Sequence, residues 1–222
     1  MSELLPCVEV EPSDARSGEP AAIVWLHGLG ATGHDFEPIV PALDLPWVRF
    51  VFPHAPQRPV TINGGMVMPS WYDITSIGPG GTNEAHVVET TSSVEALLAR
   101  ERERVPAQRI VLAGFSQGGA IAFHVGLRHA EGLAGLMVLS SYEMYPDRRK
   151  ERSVANAATP VLFGHGLYDP LVQVDRGRAA YESVVAPERD VRWLEYPMGH
   201  EVCPQQIDDV GGWLRERLPP KL

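Results

Sequence analysis

Cysteine is scarce. The 222 residues hold two, Cys7 and Cys203, neither in a CxxC or Cys/His spacing, which excludes zinc ribbons, thioredoxin-type redox chemistry and a disulfide scaffold. Positive charge is also short. With 19 Lys and Arg against 28 Asp and Glu the formal net charge is −9, a balance that repels nucleic acid and anionic membrane surfaces. No run approaches the roughly 18 apolar residues of a membrane span, so no stable membrane insertion is expected. Residues 1–17 carry Glu3, Glu9, Glu11 and Asp14 where a secretory signal needs a basic stretch and then an apolar one, so the expected location is cytoplasmic. What the chain does have is apolar content, 44%. That is enough for one core in a single domain over 1–222. Gly (21) and Pro (20) are frequent, but unclustered and without period, the mark of many tight loops.

Short β-branched runs alternate with helical patterns. Residues 21–26, 48–52, 109–113, 136–139, 160–163 and 191–194 read as strands, several nearly all apolar, as inner parallel strands are. Helices are expected over 35–43, 84–104, 117–129, 173–185 and 204–218. Ile207, Val210, Leu214 and Leu218 put one apolar stripe on the last, whereas 117–127 is apolar on nearly every side, the pattern of a central buried helix. Such alternation predicts an α/β three-layer sandwich with a mostly parallel sheet and no separate cap domain. Residues 1–20 form an N-terminal extension expected to add an edge strand. Residues 56–83 break the alternation. This stretch holds five glycines with Met66, Met68, Trp71 and Tyr72, too long and apolar for a plain loop, and is expected to wall a pocket.

The strongest chemical signal is Gly114-Phe115-Ser116-Gln117-Gly118, a G-x-S-x-G between a strand and the buried helix. This is the context of a nucleophile elbow, whose sharp turn demands small residues two before and two after the serine. A bare serine N-cap would not require both flanking elements. The hydroxyl needs a base, and in this arrangement the partners follow in the order Ser, acid, His. Six of the eight histidines precede the elbow or sit beside it, and His165 precedes the best acid, which leaves His200. Asp169, just past the strand at 160–163, is the expected acid that orients the imidazole; Asp175 reads as a helix-start acid. An oxyanion hole takes one N–H from the residue after the nucleophile and one from a loop after an earlier strand. Those are Gln117 and, within His27-Gly-Leu-Gly30, Leu29.

The same loop contains a literal G-x-G-x-x-G at Gly28, Gly30 and Gly33. A dinucleotide site would also want an acid at the end of the next strand. That strand ends in Pro53-His54-Ala55-Pro56, and a nicotinamide reading leaves the elbow unexplained, so neither cofactor nor metal is expected.

His27-Gly-Leu-Gly30, Thr61-Ile-Asn-Gly-Gly65 with Pro69-Ser-Trp-Tyr-Asp73, the elbow, Asp169-Pro-Leu-Val172 and Pro197-Met-Gly-His200 together resemble the small bacterial carboxylesterases of the phospholipase/carboxylesterase family, relatives of acyl-protein thioesterases. The resemblance runs from about residue 21 to 218 with its five motifs in order. It implies an α/β-hydrolase fold and cofactor-free hydrolysis of short- to medium-chain acyl esters, with Ser116, Asp169 and His200 as triad and Leu29 and Gln117 as oxyanion donors. It further implies Trp71 and Tyr72 beside the acyl pocket, facing Leu171 and Val172. Residues 147–152 match none of its motifs and read as a solvated charged face. A small-molecule acyl ester is the expected partner; homodimerisation is open. Acyl-protein thioesterase or lysophospholipase activity is the alternative, since ester and thioester pass through the same acyl-enzyme. A non-catalytic ligand-binding module is the third reading, and retention of all three candidate triad residues weighs against it.

Overall fold

The computed structural model describes residues 4–14, 20–76, 78 and 80–220. Of the expected N-terminal extension, residues 1–3 and 15–19 therefore lie outside the described residues, as do 77 and 79 of the 56–83 stretch.

The strands are β1 (Cys7–Val10), β2 (Ala21–Leu26), β3 (Val48–Pro53), β4 (Gln57–Val60), β5 (Met66–Pro69), β6 (Ile110–Phe115), β7 (Gly135–Leu139), β8 (Val161–Gly166) and β9 (Val191–Tyr196). Seven of them form one sheet in the order β1-β3-β2-β6-β7-β8-β9. All pairings in it are parallel except β1 on β3, with Val8 opposite Phe52. The extension thus supplies an antiparallel edge strand. β4 and β5 pair as a separate hairpin within the 56–83 stretch.

Among the described residues five α-helices flank the sheet: α1 (Val40–Leu43), α2 (Glu84–Arg102), α3 (Gln117–Gly126), α4 (Val174–Glu182) and α5 (Pro204–Arg217). The helix expected over 35–43 is instead two 3-10 turns followed by the four-residue α1. Pro38 and Pro41 each lack the N–H that a continuous helix would need, and Asp44 ends the segment in the left-handed region at φ 53°.

Two cores result, one per face. Val24, Leu112, Ile121, Val138 and Phe163 pack with α2, α3 and α4. Ile23, Trp25, Phe50, Met137 and Leu162 pack with Trp213 and Leu214 of α5. Strand residues of alternating parity feed opposite faces, as the pleat requires. Among the described residues no helix is long and apolar enough to cross a membrane.

The chain leaves β2 toward β3 and leaves β6 toward β7, so its direction across the sheet reverses between β2 and β6. In open α/β sheets such a switch point opens a crevice at the carboxyl ends of the two strands, the usual place for a ligand site.

Candidate active site

At the end of β6 the chain turns into α3 through Ser116, which lies at φ 53°, ψ −120°, a conformation that costs on the order of 1–3 kcal/mol. The surroundings hold it there. Its N–H donates to the Leu139 carbonyl (2.8 Å), and its own carbonyl accepts from Ala120 N–H (3.0 Å) and Ser141 Oγ (2.6 Å). A Cβ on Gly114 would stand 2.3 Å from the Gly118 carbonyl oxygen, and one on Gly118 would stand 2.4 Å from that of His27. Both flanking glycines are steric necessities.

His200, in the loop after β9, points Nε2 at Ser116 Oγ (2.8 Å) and Nδ1 at Asp169 Oδ2 (2.6 Å). A carboxylate can only accept, so Nδ1 carries the proton and Nε2 is free to receive the serine's. The His200 ring rests against Phe115, centroids 4.9 Å apart. Asp169, past the end of β8, is buried. Its Oδ1 accepts from the N–H groups of Leu171 (2.9 Å) and Val172 (2.8 Å), which fix the carboxylate for the imidazole. Behind it, buried His165 donates Nε2–H to the Val172 carbonyl (2.8 Å) and lies 3.6 Å from Asp169 Oδ2. Burial pushes the His165 pKa below the usual histidine value.

Leu29 follows β2 and Gln117 opens α3, and both line the same cavity as Ser116 and His200. The Gln117 carboxamide accepts from Trp71 N–H (2.8 Å) and donates to the Tyr72 carbonyl (2.7 Å). Trp71 Nε1–H donates to the His27 carbonyl (2.7 Å). His27 Nε2 accepts from Ala55 N–H (3.1 Å), leaving Nδ1–H for the Gly28 carbonyl (2.7 Å); burial lowers this histidine's pKa also. The 27–30 loop, residues 70–72 and the start of α3 are thereby locked into one frame.

That frame corrects the expected pocket wall. Trp71 and Tyr72 are fully buried and do not line the cavity, because the indole N–H and the backbone of both residues are committed to His27 and Gln117. Leu171 and Val172 do line it. The 56–83 stretch contributes through Ile62, Asn63, Ile74, Ser76 and Thr82 instead. Nor is the 147–152 segment purely a solvated face. Arg149 reaches the cavity, as do Tyr142, Glu143 and Arg176, and Glu143 is held by Arg149 Nη2 (2.7 Å) and Arg152 Nη2 (2.8 Å). No local spacing marks these four residues. The turn after β7 and the first turn of α4 meet only in the folded chain. The cavity measures about 730 Å³, within the roughly 300–1,000 Å³ usual for small-molecule sites.

The profile of the phospholipase/carboxylesterase family matches residues 6–217. Acyl-protein thioesterase 1 of Gibberella zeae is 37% identical over 93% of this chain and 94% of its own. The same enzyme of Neurospora crassa is 36% identical over 94% and 90%. Among solved structures, acyl-protein thioesterase 2 of Zea mays superposes with a TM-score of 0.83 at 26% identity, covering 96% of this chain and 99% of that one. A Bacillus cereus carboxylesterase, 18% identical with a TM-score of 0.75 over 96% of this chain and 94% of its own, shares the fold alone. The specifically bacterial kinship expected from the motifs is thus unsupported, the relatives at this identity being fungal. On these matches the chain belongs to the phospholipase/carboxylesterase family and is a serine hydrolase of the α/β-hydrolase fold.

Proposed function

We propose that this hydrolase cleaves acyl thioesters in the manner of an acyl-protein thioesterase, with Ser116 as nucleophile, His200 as general base and acid, and Asp169 orienting the imidazole. The observation that carries the catalytic assignment is the unbroken chain from Ser116 Oγ through His200 to Asp169, 2.8 Å and 2.6 Å, opening on the cavity. Identity to acyl-protein thioesterases over nearly the whole chain favours the thioester over the oxygen ester.

In this mechanism His200 Nε2 takes the Ser116 proton as Oγ attacks the acyl carbonyl carbon. The carbonyl oxygen becomes an oxyanion that accepts from the N–H groups of Leu29 and Gln117. Collapse expels the thiolate, which takes the proton from His200. Water, deprotonated by the same imidazole, attacks the acyl-enzyme, and Ser116 recovers its proton as the carboxylic acid leaves. Asp169 stabilises the imidazolium throughout and itself remains ionised.

The second reading is a carboxylesterase for short- to medium-chain oxygen esters, which uses the same steps. Steady-state kinetics on an S-acylated cysteinyl peptide and on oxygen esters of equal acyl length separate them. The expected result is kcat/KM at least about tenfold higher for the thioester, about 1.4 kcal/mol in the transition state. A preference of that size for the oxygen ester would replace the thioesterase reading with the esterase one.

A further inference from the structure

The cavity over Ser116 straddles the sheet edge, and its two sides differ in charge. On one side stand Phe36 and Val202, which belong to the α5-face core, together with Asp35 and Glu201. Asp35 accepts from Thr32 N–H and Oγ (2.8 and 2.9 Å) and Glu201 from Gly199 N–H (3.4 Å), and among the described residues neither carboxylate forms an ion pair with an Arg or Lys. On the other side Ile74, Tyr142 and Ala180 join the α3-face core, and the charges are basic. Glu143 there is shared by Arg149 and Arg152, which over-neutralise it.

Arg176 is the feature that stands out. It lies half-buried in the first turn of α4, its guanidinium carbon 3.9 Å above the centre of the Tyr142 ring. Stacking occupies one face of the planar fork and leaves the in-plane N–H donors unused. Among the described residues no carboxylate pairs with it. Its neighbour Arg178 makes the contrast, since that side chain stacks on Trp193 (4.8 Å) and also pairs with Glu195. Arg148 likewise stacks on Tyr145 (4.7 Å) and pairs with Glu84 (2.5 Å).

We propose that Arg176 is an anion subsite of this cavity and that the acyl group removed at Ser116 ends in a carboxylate, so that the substrates are half-thioesters or half-esters of dicarboxylic acids. The proposal rests on Ser116-dependent hydrolysis and adds the acyl class to it. Met144 and Ala180, of the α3-face core, line the cavity with Arg176 and Val172, an apolar surface suited to a methylene chain. An ionised end then meets a pre-oriented fork that pairs with no carboxylate among the described residues. Asp35 and Glu201 repel that end from the opposite side, which fixes the direction in which the substrate lies.

The test compares p-nitrophenyl half-esters of dicarboxylic acids with neutral p-nitrophenyl esters of matched length, in the unsubstituted enzyme, Arg176→Gln and Arg176→Lys. In Arg176→Gln the half-ester to neutral-ester ratio of kcat/KM is expected to fall roughly 10- to 100-fold, mainly through KM, the size of a lost charge-assisted hydrogen bond. Arg176→Lys should restore part of it. An unchanged ratio while the neutral ester is still turned over overturns the subsite and leaves the hydrolase reading standing. Calorimetric binding of a half-ester to Ser116→Ala protein decides the matter without turnover: Kd weakens by the same factor when Arg176→Gln is added, or the subsite falls. A loss confined to a lysophospholipid, whose anion sits on the alcohol, overturns the acyl assignment.

Discussion

Two buried polar clusters lie at opposite edges of the same sheet, and they do different things. Near the amino ends of the parallel strands, Arg49 of β3 is almost wholly buried with Glu101 of α2 fully so. Arg49 Nε donates to Glu101 (3.0 Å) and its other nitrogens reach Glu9 (2.6 Å) and Glu11, while Arg100 bonds Glu101 (2.7 Å) and Glu9 (2.8 Å). Each buried charge there has a counter-charge, and the network ties edge strand β1 and α2 to β3. At the carboxyl edge Asp169 is just as buried. Its hydrogen-bond partners, however, are two backbone N–H groups and the His200 imidazole, and that imidazole leads to a strained serine beside a cavity. Burial of charge does not by itself mark chemistry. A charge held by neutral donors, with an open path to solvent-sized space, does.

The sharpest way to break this contrast is Ser116→Ala. Turnover is expected to fall by roughly 10⁶ in kcat, as in other serine hydrolases stripped of the nucleophile, while thermal unfolding followed by circular dichroism remains a single cooperative transition. A variant retaining near-normal rates would remove the distinction between the two clusters. Glu101→Gln should do the converse. Taking one partner from a buried ion network costs about 3 kcal/mol, readable as a lowered urea midpoint, whereas kcat/KM at a site across the sheet should stay within about twofold. Loss of activity in step with stability, measured where the variant is fully folded, would show that the two clusters are coupled after all.

Legibility in the sequence followed how local each determinant is. The inner strands, the elbow glycines and the order Ser116, Asp169, His200 could be read because each depends on neighbours in the chain or on a rule of chain order. Residues 35–43 misled because the apolar pattern persists through Pro38 and Pro41, which cannot donate the helical hydrogen bonds. Trp71 and Tyr72 misled in another way: large aromatics beside a glycine-rich stretch suggest a pocket, yet the indole N–H, once buried, had to find an acceptor and found the His27 carbonyl. Arg149, Arg176 and Glu143 carried no signal, for they converge from the segment after β7 and the first turn of α4, which only the sheet order brings together.

The smallest effect expected separates stability from turnover on a single helix. His124 lies on α3, eight residues past Ser116, with its ring edge-on to Tyr145 at 5.5 Å. Burial, helped by the positive charges of Arg128 and Arg148, pushes its pKa down to about 4. The unfolded chain titrates nearer 6.5, so between these values the unfolded state binds more protons than the native one. Stability is therefore fully present above pH 6.5 and is lost as the pH falls toward 4. At pH 5 the loss from this residue amounts to about 2 kcal/mol relative to pH 7. His27 and His165, their pKa values also lowered by burial, act with the same sign. His124→Phe keeps a ring against Tyr145 and removes the titration, so urea unfolding at pH 7 and pH 5 should show a gap smaller by that amount, with kcat/KM on a neutral ester at pH 7 little changed. A gap of the original size in the variant would assign the acid sensitivity to His27 and His165, the two imidazoles built into the frame of the active site, and would make acid stability and catalysis properties of the same residues.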